Sequence, residues 1–378
     1  MTVHGGDVWQ VAEEFGIDAS DLLDFSANIN PRGLPEAARQ RLARGAADPR
    51  LLSFYPDPSA RALRHALSEK HRLDTDSIVI GPGAEALLSP ILRTLAPRRA
   101  LVPIPAFSEY RRVCEIEKIN VAFFPLERSN LFCLPVGQFC GAIEPGDVVF
   151  LNSPHNPTGA MLDPFGLERI LETAVSRKAA LLLDEAFVDY APEFSFVHEA
   201  ASQPGIIVLR SLTKFYGCPA LRVGYAVAHS ETIRQIRSFL PTWPITQLAL
   251  DALVESLRDH GYEEQSLHDN VTERERLALS LRELGFVSFP SAANYLLLEL
   301  PEGTPSVSDL RTWLIAKHRI LIRSCDSYEG LTPGRYMRVA VRAPEDNGRL
   351  IEALRTFSLL PPKNAASVQS GAGAGWPR

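Results

Sequence analysis

The sequence predicts an α/β protein, with a mostly parallel central sheet in a large domain and a smaller α+β domain after it. Three observations carry that expectation. Runs such as VVFLN, ALLLD and IIVLR are apolar without alternation, the pattern of strands buried on both faces. Stretches with helical spacing lie between them, and alternating strand and helix build parallel sheets. Beyond about Ser230 that rhythm gives way to long helices and isolated strands.

Residues 1–33 read as a short arm. It holds HGG at His4 to Gly6, an amphipathic turn in VAEEFGI, and LLDFSANINPRG. The last piece is apolar, then turn-rich, and suits a segment crossing a pocket rather than a helix. Residues 34–47 have helical spacing, 51–59 form a proline-punctuated loop, and 59–73 form a helix capped by Ser59. SIVIGPGAEALLSPILRTL gives a strand, a Gly-Pro-Gly turn and a helix from near Ala84. RALVPIPAFSEYRRVCEIEKINVAFFPL gives strand, loop, helix and strand. DVVFLNSPHNPTG is a strand running into a polar turn, and LERILETAVSRKAALLLDEAF is a helix followed by an apolar strand ending in Asp184. IIVLRSLTKF and RVGYAVA complete the series. Helices over 231–240, 246–259 and 262–284 lead to strands in NYLLLEL, RILIRS and RYMRVAVR and a last helix over 345–357. The expected division is an arm over 1–48 that joins the small domain, a large domain over 49–230, a small domain over 231–360 and a disordered tail over 361–378.

The chain has 378 residues, 46% of them hydrophobic, and a net charge of -6. That is long enough for two cores, and its mild acidity argues against a nucleic-acid or anionic-membrane surface. Cys114, Cys133, Cys140, Cys218 and Cys325 show no metal-ligand spacing, and the nine histidines form no HxxxH pair. Such unpatterned thiols suggest a reducing compartment and no metal site. MTVHGGDVWQ has no apolar leader, and no run approaches the ~18 apolar residues of a membrane helix. The expectation is a soluble, cytoplasmic protein.

Ligands of open parallel sheets bind at the carboxyl ends of the strands. Just past those ends stand Gly83-Ala84-Glu85, Phe107, Asn152 to Asn156, Asp184 and Ser211 to Lys214. GPGAE opening a helix offers free N–H groups to a phosphate, though most such turns are only turns. Ser211, Thr213 and Arg222 could close that cradle. Asp184 ends an apolar strand, where a carboxylate is costly unless paired; it is a helix cap, a structural ion pair or a partner for a protonated ring nitrogen. Asn156 is an Asx-turn residue or an amide donor to a ring hydroxyl. Phe107 is a core residue or a stacking ring. Lys214 taken singly is a solvated surface lysine; at the mouth of a buried strand it is poorly solvated and becomes an amine nucleophile. Together a phosphate cradle, an acid, an amide, a stacking ring and an amine specify pyridoxal 5'-phosphate (PLP).

In order, GPGAE, PAFSEY, NSPHNPTG, DEAF and SLTKFYG…LRVGY resemble the motifs of the fold type I PLP enzymes, the aspartate-aminotransferase fold, close to the histidinol-phosphate aminotransferases. Within that branch HGGDVWQVAEEFGI, LLDFSANINPRGLP, RSLTKFYGCPALRVGY and RILIRSCDSYEGL…RYMRVAVR are similar to the threonine-phosphate decarboxylases of cobalamin biosynthesis. The HGG arm, and Phe187 where aminotransferases usually carry Tyr, point the same way. The resemblance implies that Lys214 carries PLP and that Asp184 keeps its ring nitrogen protonated. It further implies that Asn156 bonds the ring oxygen and Phe107 stacks on the ring. Ala84, Glu85, Ser211, Thr213 and Arg222 would hold the cofactor phosphate, with Tyr55 reaching it from the second subunit of a homodimer. Arg338 would take the substrate carboxylate, and Arg323, His4 and Asn28 the substrate phosphate. One departure is visible: Pro82 and Ala84 replace the Asn and polar residue common in relatives, which removes a side-chain contact but leaves the backbone cradle. The implied reaction is decarboxylation of L-threonine O-3-phosphate to (R)-1-amino-2-propanol O-2-phosphate. The alternatives are an aminotransferase of the histidinol-phosphate type and a PLP-binding protein without turnover. No DNA-binding segment or spare domain supports the last.

Overall fold

The computed structural model describes residues 5–358. His4 and the tail over 361–378 lie outside the described residues. In chain order the strands are β1 (Leu23–Asp24), β2 (Ile78–Gly81), β3 (Arg99–Ile104), β4 (Asn120–Pro125), β5 (Asp147–Asn152), β6 (Ala180–Asp184) and β7 (Ile206–Ser211). They continue with β8 (Gly224–Ala228), β9 (Val287–Ser288), β10 (Tyr295–Glu299), β11 (Ile320–Leu321), β12 (Arg323–Ser324) and β13 (Tyr336–Ala340). The chain divides into two compact units. The larger holds residues 29–269 and 291–294; the smaller holds the residues up to 28, then 270–290 and those from 295 onward.

In the larger unit a seven-stranded sheet runs in the order β2-β8-β7-β6-β5-β3-β4. Every pairing is parallel except those of β8, which is antiparallel to β2 and β7. Alternate side chains feed two cores. Val149, Leu151, Leu181, Leu183, Ile206 and Val208 enter one, while Val148, Phe150, Leu182, Ile207 and Leu209 enter the other. Both faces are therefore covered, which is why these strands read as unbroken apolar runs.

Boundaries were expected at 48/49 and 230/231; the two compact units divide at 28/29 and 269/270. The helix Gln247–Leu257 packs on the helices Glu36–Ala46 and Arg61–His71, and its Leu250 and Leu253 join the larger core. That packing draws both flanking segments into the larger unit. The smaller unit has an antiparallel sheet, β12-β13-β10-β9, and a parallel β1–β11 pair. Leu296, Leu298, Met337 and Val339 pack from one sheet face into a core with Leu310, Leu314, Leu350 and Leu354. Tyr295, Arg323 and Arg338 therefore belong to the opposite face.

Two local expectations change. In VAEEFGI, Val11–Phe15 form not a turn but the larger part of a helix, Val8–Phe15. The Asp7 side chain accepts from the Gln10 N–H at its start, and left-handed Gly16 (φ 63°) ends it. Ser59 does not cap the next helix, which starts at Arg61. With Ala60 at φ 45°, the chain turns so that Asp57 takes that role, its carboxylate accepting from the N–H groups of Ser59 (3.1 Å) and Arg61 (2.9 Å). Among the described residues, no helix is long and apolar enough to cross a membrane.

Candidate active site

The sheet register brings the strand ends of the larger unit to one rim. Asn152 pairs with Asp184 at the ends of β5 and β6, and Ser211 at the end of β7 pairs with Gly224. Gly224 begins β8 but, because β8 is antiparallel, also lies beside Gly81 at the end of β2. The motifs after those four strands are thus neighbours, as the strand-end rule requires.

Asp184 is 8% exposed. One carboxylate oxygen accepts from the Tyr110 hydroxyl at 2.5 Å and the other from the Ala186 N–H at 2.9 Å. Burial pushes its pKa up; the Tyr110 hydrogen bond, the Ala186 N–H and the charge of Lys214 pull it back down. Asn152 ties this carboxylate's strand to the polar turn. Its amide donates to the Asp184 carbonyl (2.7 Å), and its oxygen accepts from the Asn156 N–H (2.6 Å). Asn156 is thereby fixed at the rim, buried, on a backbone anchored beside Asp184. Phe107 precedes the helix Ser108–Ile116 and meets Tyr110 edge-on, with ring centroids 5.6 Å apart.

The expected phosphate cradle has the required close approaches. Gly83 has φ +96°, and a Cβ there would stand 2.9 Å from Nη2 of Arg222. A Cβ on Gly224 would stand 2.3 Å from the Ala84 nitrogen, so β8 and the GPGAE turn touch through backbone. Ala84 and Glu85 open a helical run, where the first N–H groups lack intrahelical partners. Arg222 lies in the left-handed region at φ 52°. Ser211 caps the short helix Leu212–Phe215, and its hydroxyl lies 2.9 Å from that of Thr213. Lys214 belongs to this same turn of helix. Two hydroxyls, a guanidinium and free N–H groups suit a phosphate dianion; Asp184 suits a protonated ring nitrogen, and Lys214 a carbonyl. These residues fit PLP.

In the smaller unit Arg323 and Arg338 stand directly opposite each other across β12 and β13, 5% and 6% exposed. Arg338 donates to the Ser26 carbonyl (3.0 Å) and the Tyr328 hydroxyl (3.2 Å) and lies over the Tyr295 ring. Arg323 donates to Ser327 Oγ (2.8 Å) and lies over the Tyr328 ring. Among the described residues, the buried Nε of Arg323 has no acceptor, Ser327 is the partner of its Nη2, and Oδ1 of buried Asn28 has no donor. Gly6 N–H donates to Ser26 Oγ (2.7 Å), which seats the end of the HGG arm beside the residue that receives Arg338. Expected contacts of His4 lie outside the described residues. Tyr55 is 79% exposed and stacks on Trp243, with ring centroids 4.5 Å apart.

Three participants escaped the sequence reading. The motif PAFSEY gives Tyr110 no role by itself, although a Tyr one helical turn after Phe107 shares its face. Asn152 was placed at the rim without its two bonds. Arg210, next to Ser211 in sequence, is fully buried against Glu185 (3.1 Å), which follows Asp184, and Asp189 (2.6 Å). No periodicity announces a buried arginine.

The family described as "Aminotransferase class I and II" matches residues 20–354. A threonine-phosphate decarboxylase of Salmonella typhimurium is 35% identical over 359 residues, covering 94% of this chain and 96% of that protein. The adenosylcobalamin biosynthesis bifunctional protein CobDQ of Leptospira interrogans is 30% identical over 93% of this chain, which spans only 40% of that longer protein. Among solved structures, the histidinol-phosphate aminotransferase from Clostridium acetobutylicum is similar at a TM-score of 0.82 and 28% identity, covering 89% of this chain and 99% of that one.

Proposed function

The chain belongs to the class I and II aminotransferase family, and we propose that within it the protein is a PLP-dependent carboxy-lyase, converting L-threonine O-3-phosphate to (R)-1-amino-2-propanol O-2-phosphate and CO2. The observation that carries this reading is the pair of buried arginines, Arg323 and Arg338, opposed across two strands. A buried cation without a carboxylate partner is costly, so Arg323 calls for an anionic ligand, and the forked N–H groups of Arg338 directly opposite suit a second anion. A phosphorylated amino acid has both a phosphate and a carboxylate. The likeness to the Salmonella threonine-phosphate decarboxylase supports the same substrate class.

Lys214 would hold the cofactor, Asp184 a proton on its pyridine nitrogen, and Asn156 its ring oxygen, with Phe107 against its ring. Ala84, Glu85, Ser211, Thr213 and Arg222 would hold its phosphate. When bound, PLP supplies an electron sink for the pair left at the substrate Cα. Arg338 would grip the carboxylate through its forked N–H groups, while Arg323, Asn28 and His4 would grip the phosphate. The Cα–carboxylate bond breaks, CO2 leaves, and Cα takes up one proton. Fixing both anions directs cleavage to that bond rather than to Cα–H, with remote binding energy setting the geometry. The working form would be a cytoplasmic homodimer. Exposed Leu52, Phe54, Tyr55 and Trp243 form an apolar surface that a second subunit would cover, with Tyr55 reaching the neighbouring cofactor phosphate.

Incubation of the PLP-loaded protein with L-threonine O-3-phosphate alone tests the reading. Steady release of CO2 with an amino alcohol phosphate as product is expected. A strict need for 2-oxoglutarate would instead favour aminotransfer, the second reading, which the Clostridium structure supports.

A further inference from the structure

Like charges directly opposite each other on adjacent strands repel, so Arg323 and Arg338 need separate restraints to be aimed at separate groups. One restraint on each comes from the same turn, beside the hold of the Ser26 carbonyl on Arg338 (3.0 Å). Ser327 Oγ accepts from Arg323 Nη2 at 2.8 Å. Tyr328, next in sequence, accepts from Arg338 Nη1 through its hydroxyl at 3.2 Å, and its ring lies 5.6 Å from the Arg323 guanidinium carbon. The turn is pinned at both ends. Tyr328 N–H donates to the Cys325 carbonyl (3.0 Å), and Asp326 accepts from the Gly334 N–H (2.6 Å). Tyr328 is itself buried, whereas Ser327 is exposed.

We infer that Ser327 and Tyr328 are positioning residues that divide recognition between the two substrate anions. Ser327 aims Arg323 at the phosphate, and the Tyr328 hydroxyl aims Arg338 at the carboxylate. This inference rests on the proposed assignment of those arginines. Its consequence is a separable specificity. The phosphate end depends on Ser327, the carboxylate end on the Tyr328 hydroxyl, and the Tyr328 ring sets the distance between them. Nε of Arg323, buried without an acceptor among the described residues, leaves a donor for the ligand.

Two probes that lack an amine, and so cannot react, separate the contributions. Isopropyl phosphate presents the phosphate alone; 3-(phosphonooxy)butanoate presents both anions. Equilibrium binding to the PLP-loaded full chain is measured by calorimetric titration, alongside kcat and KM with L-threonine O-3-phosphate. Ser327→Ala is expected to weaken both probes by the same factor, roughly tenfold, from loss of a hydrogen bond to a charged group. Tyr328→Phe keeps the ring and is expected to weaken the butanoate roughly tenfold, leaving isopropyl phosphate within about twofold. Both variants should raise KM more than they lower kcat. If the unsubstituted chain binds both probes and the two variants shift them alike, or shift neither, the inference is overturned while the proposed function stands. If the unsubstituted chain binds neither probe, both fall together.

Discussion

In its proposed role Asp184 must be charged to hold a proton on a ring nitrogen, yet burial favours its neutral form. Tyr110 supplies the largest of the influences that oppose burial. Tyr110→Phe removes that hydrogen bond and raises the Asp184 pKa further. Because the charged form is the working one, activity falls as pH drops through the folded pKa, so in the variant the acid-side loss begins at higher pH. A kcat–pH profile, with PLP affinity followed over the same range, checks this; an unmoved acid limb would count against it. Asp184→Asn removes the carboxylate proposed to pair with the ring nitrogen; a loss of about 3–5 kcal/mol carried into the barrier would lower kcat roughly two to four orders of magnitude. Lys214→Ala should lose the visible absorbance of lysine-bound PLP. The rim positions of Asp184, Lys214 and Asn156 were legible in the sequence because each ends or follows an apolar strand whose end points to the rim. The bond from Tyr110 was not, since it depends on how the helix Ser108–Ile116 packs against the sheet.

The ends of β6 and β7 are tied together by charge as well as by backbone. Arg210 at the end of β7 donates to Glu185, which follows β6, to Ser195 (2.9 Å) and to Asp189. Arg210→Met would leave two buried carboxylates without their cation, at about 3–5 kcal/mol. Urea unfolding should show that loss as a lowered midpoint, and an unchanged midpoint would contradict it. The strands themselves were plain from unbroken apolar runs, and the helices from their spacing. Helix ends were less plain. Asp7 and Gly16 did bracket the first helix, but the run between them is short and was read as a turn. Ser59 looked like a cap, whereas the left-handed turn at Ala60 hands that role to Asp57. Such exchanges depend on a single φ angle, which composition does not encode.

The class of fold followed from the change of rhythm near Ser230, but the division of the chain did not. Helices after that point pack on the larger unit through Leu250 and Leu253, because their apolar faces match helices that come earlier in the chain. Sequence order places them with the strands they precede; packing places them elsewhere. The proposed homodimer predicts twice the chain mass in sedimentation equilibrium. Trp243→Glu, which puts a charge on the exposed apolar surface, should shift that equilibrium toward the monomer. Which bond of the substrate breaks is a matter of orientation, and no motif spells it out. The most direct test uses L-threonine O-3-phosphate carrying deuterium at Cα, with product mass read by mass spectrometry. Decarboxylation predicts an amino alcohol phosphate that retains the deuterium and gains one solvent proton. Loss of the deuterium to solvent, with a keto product, would contradict it.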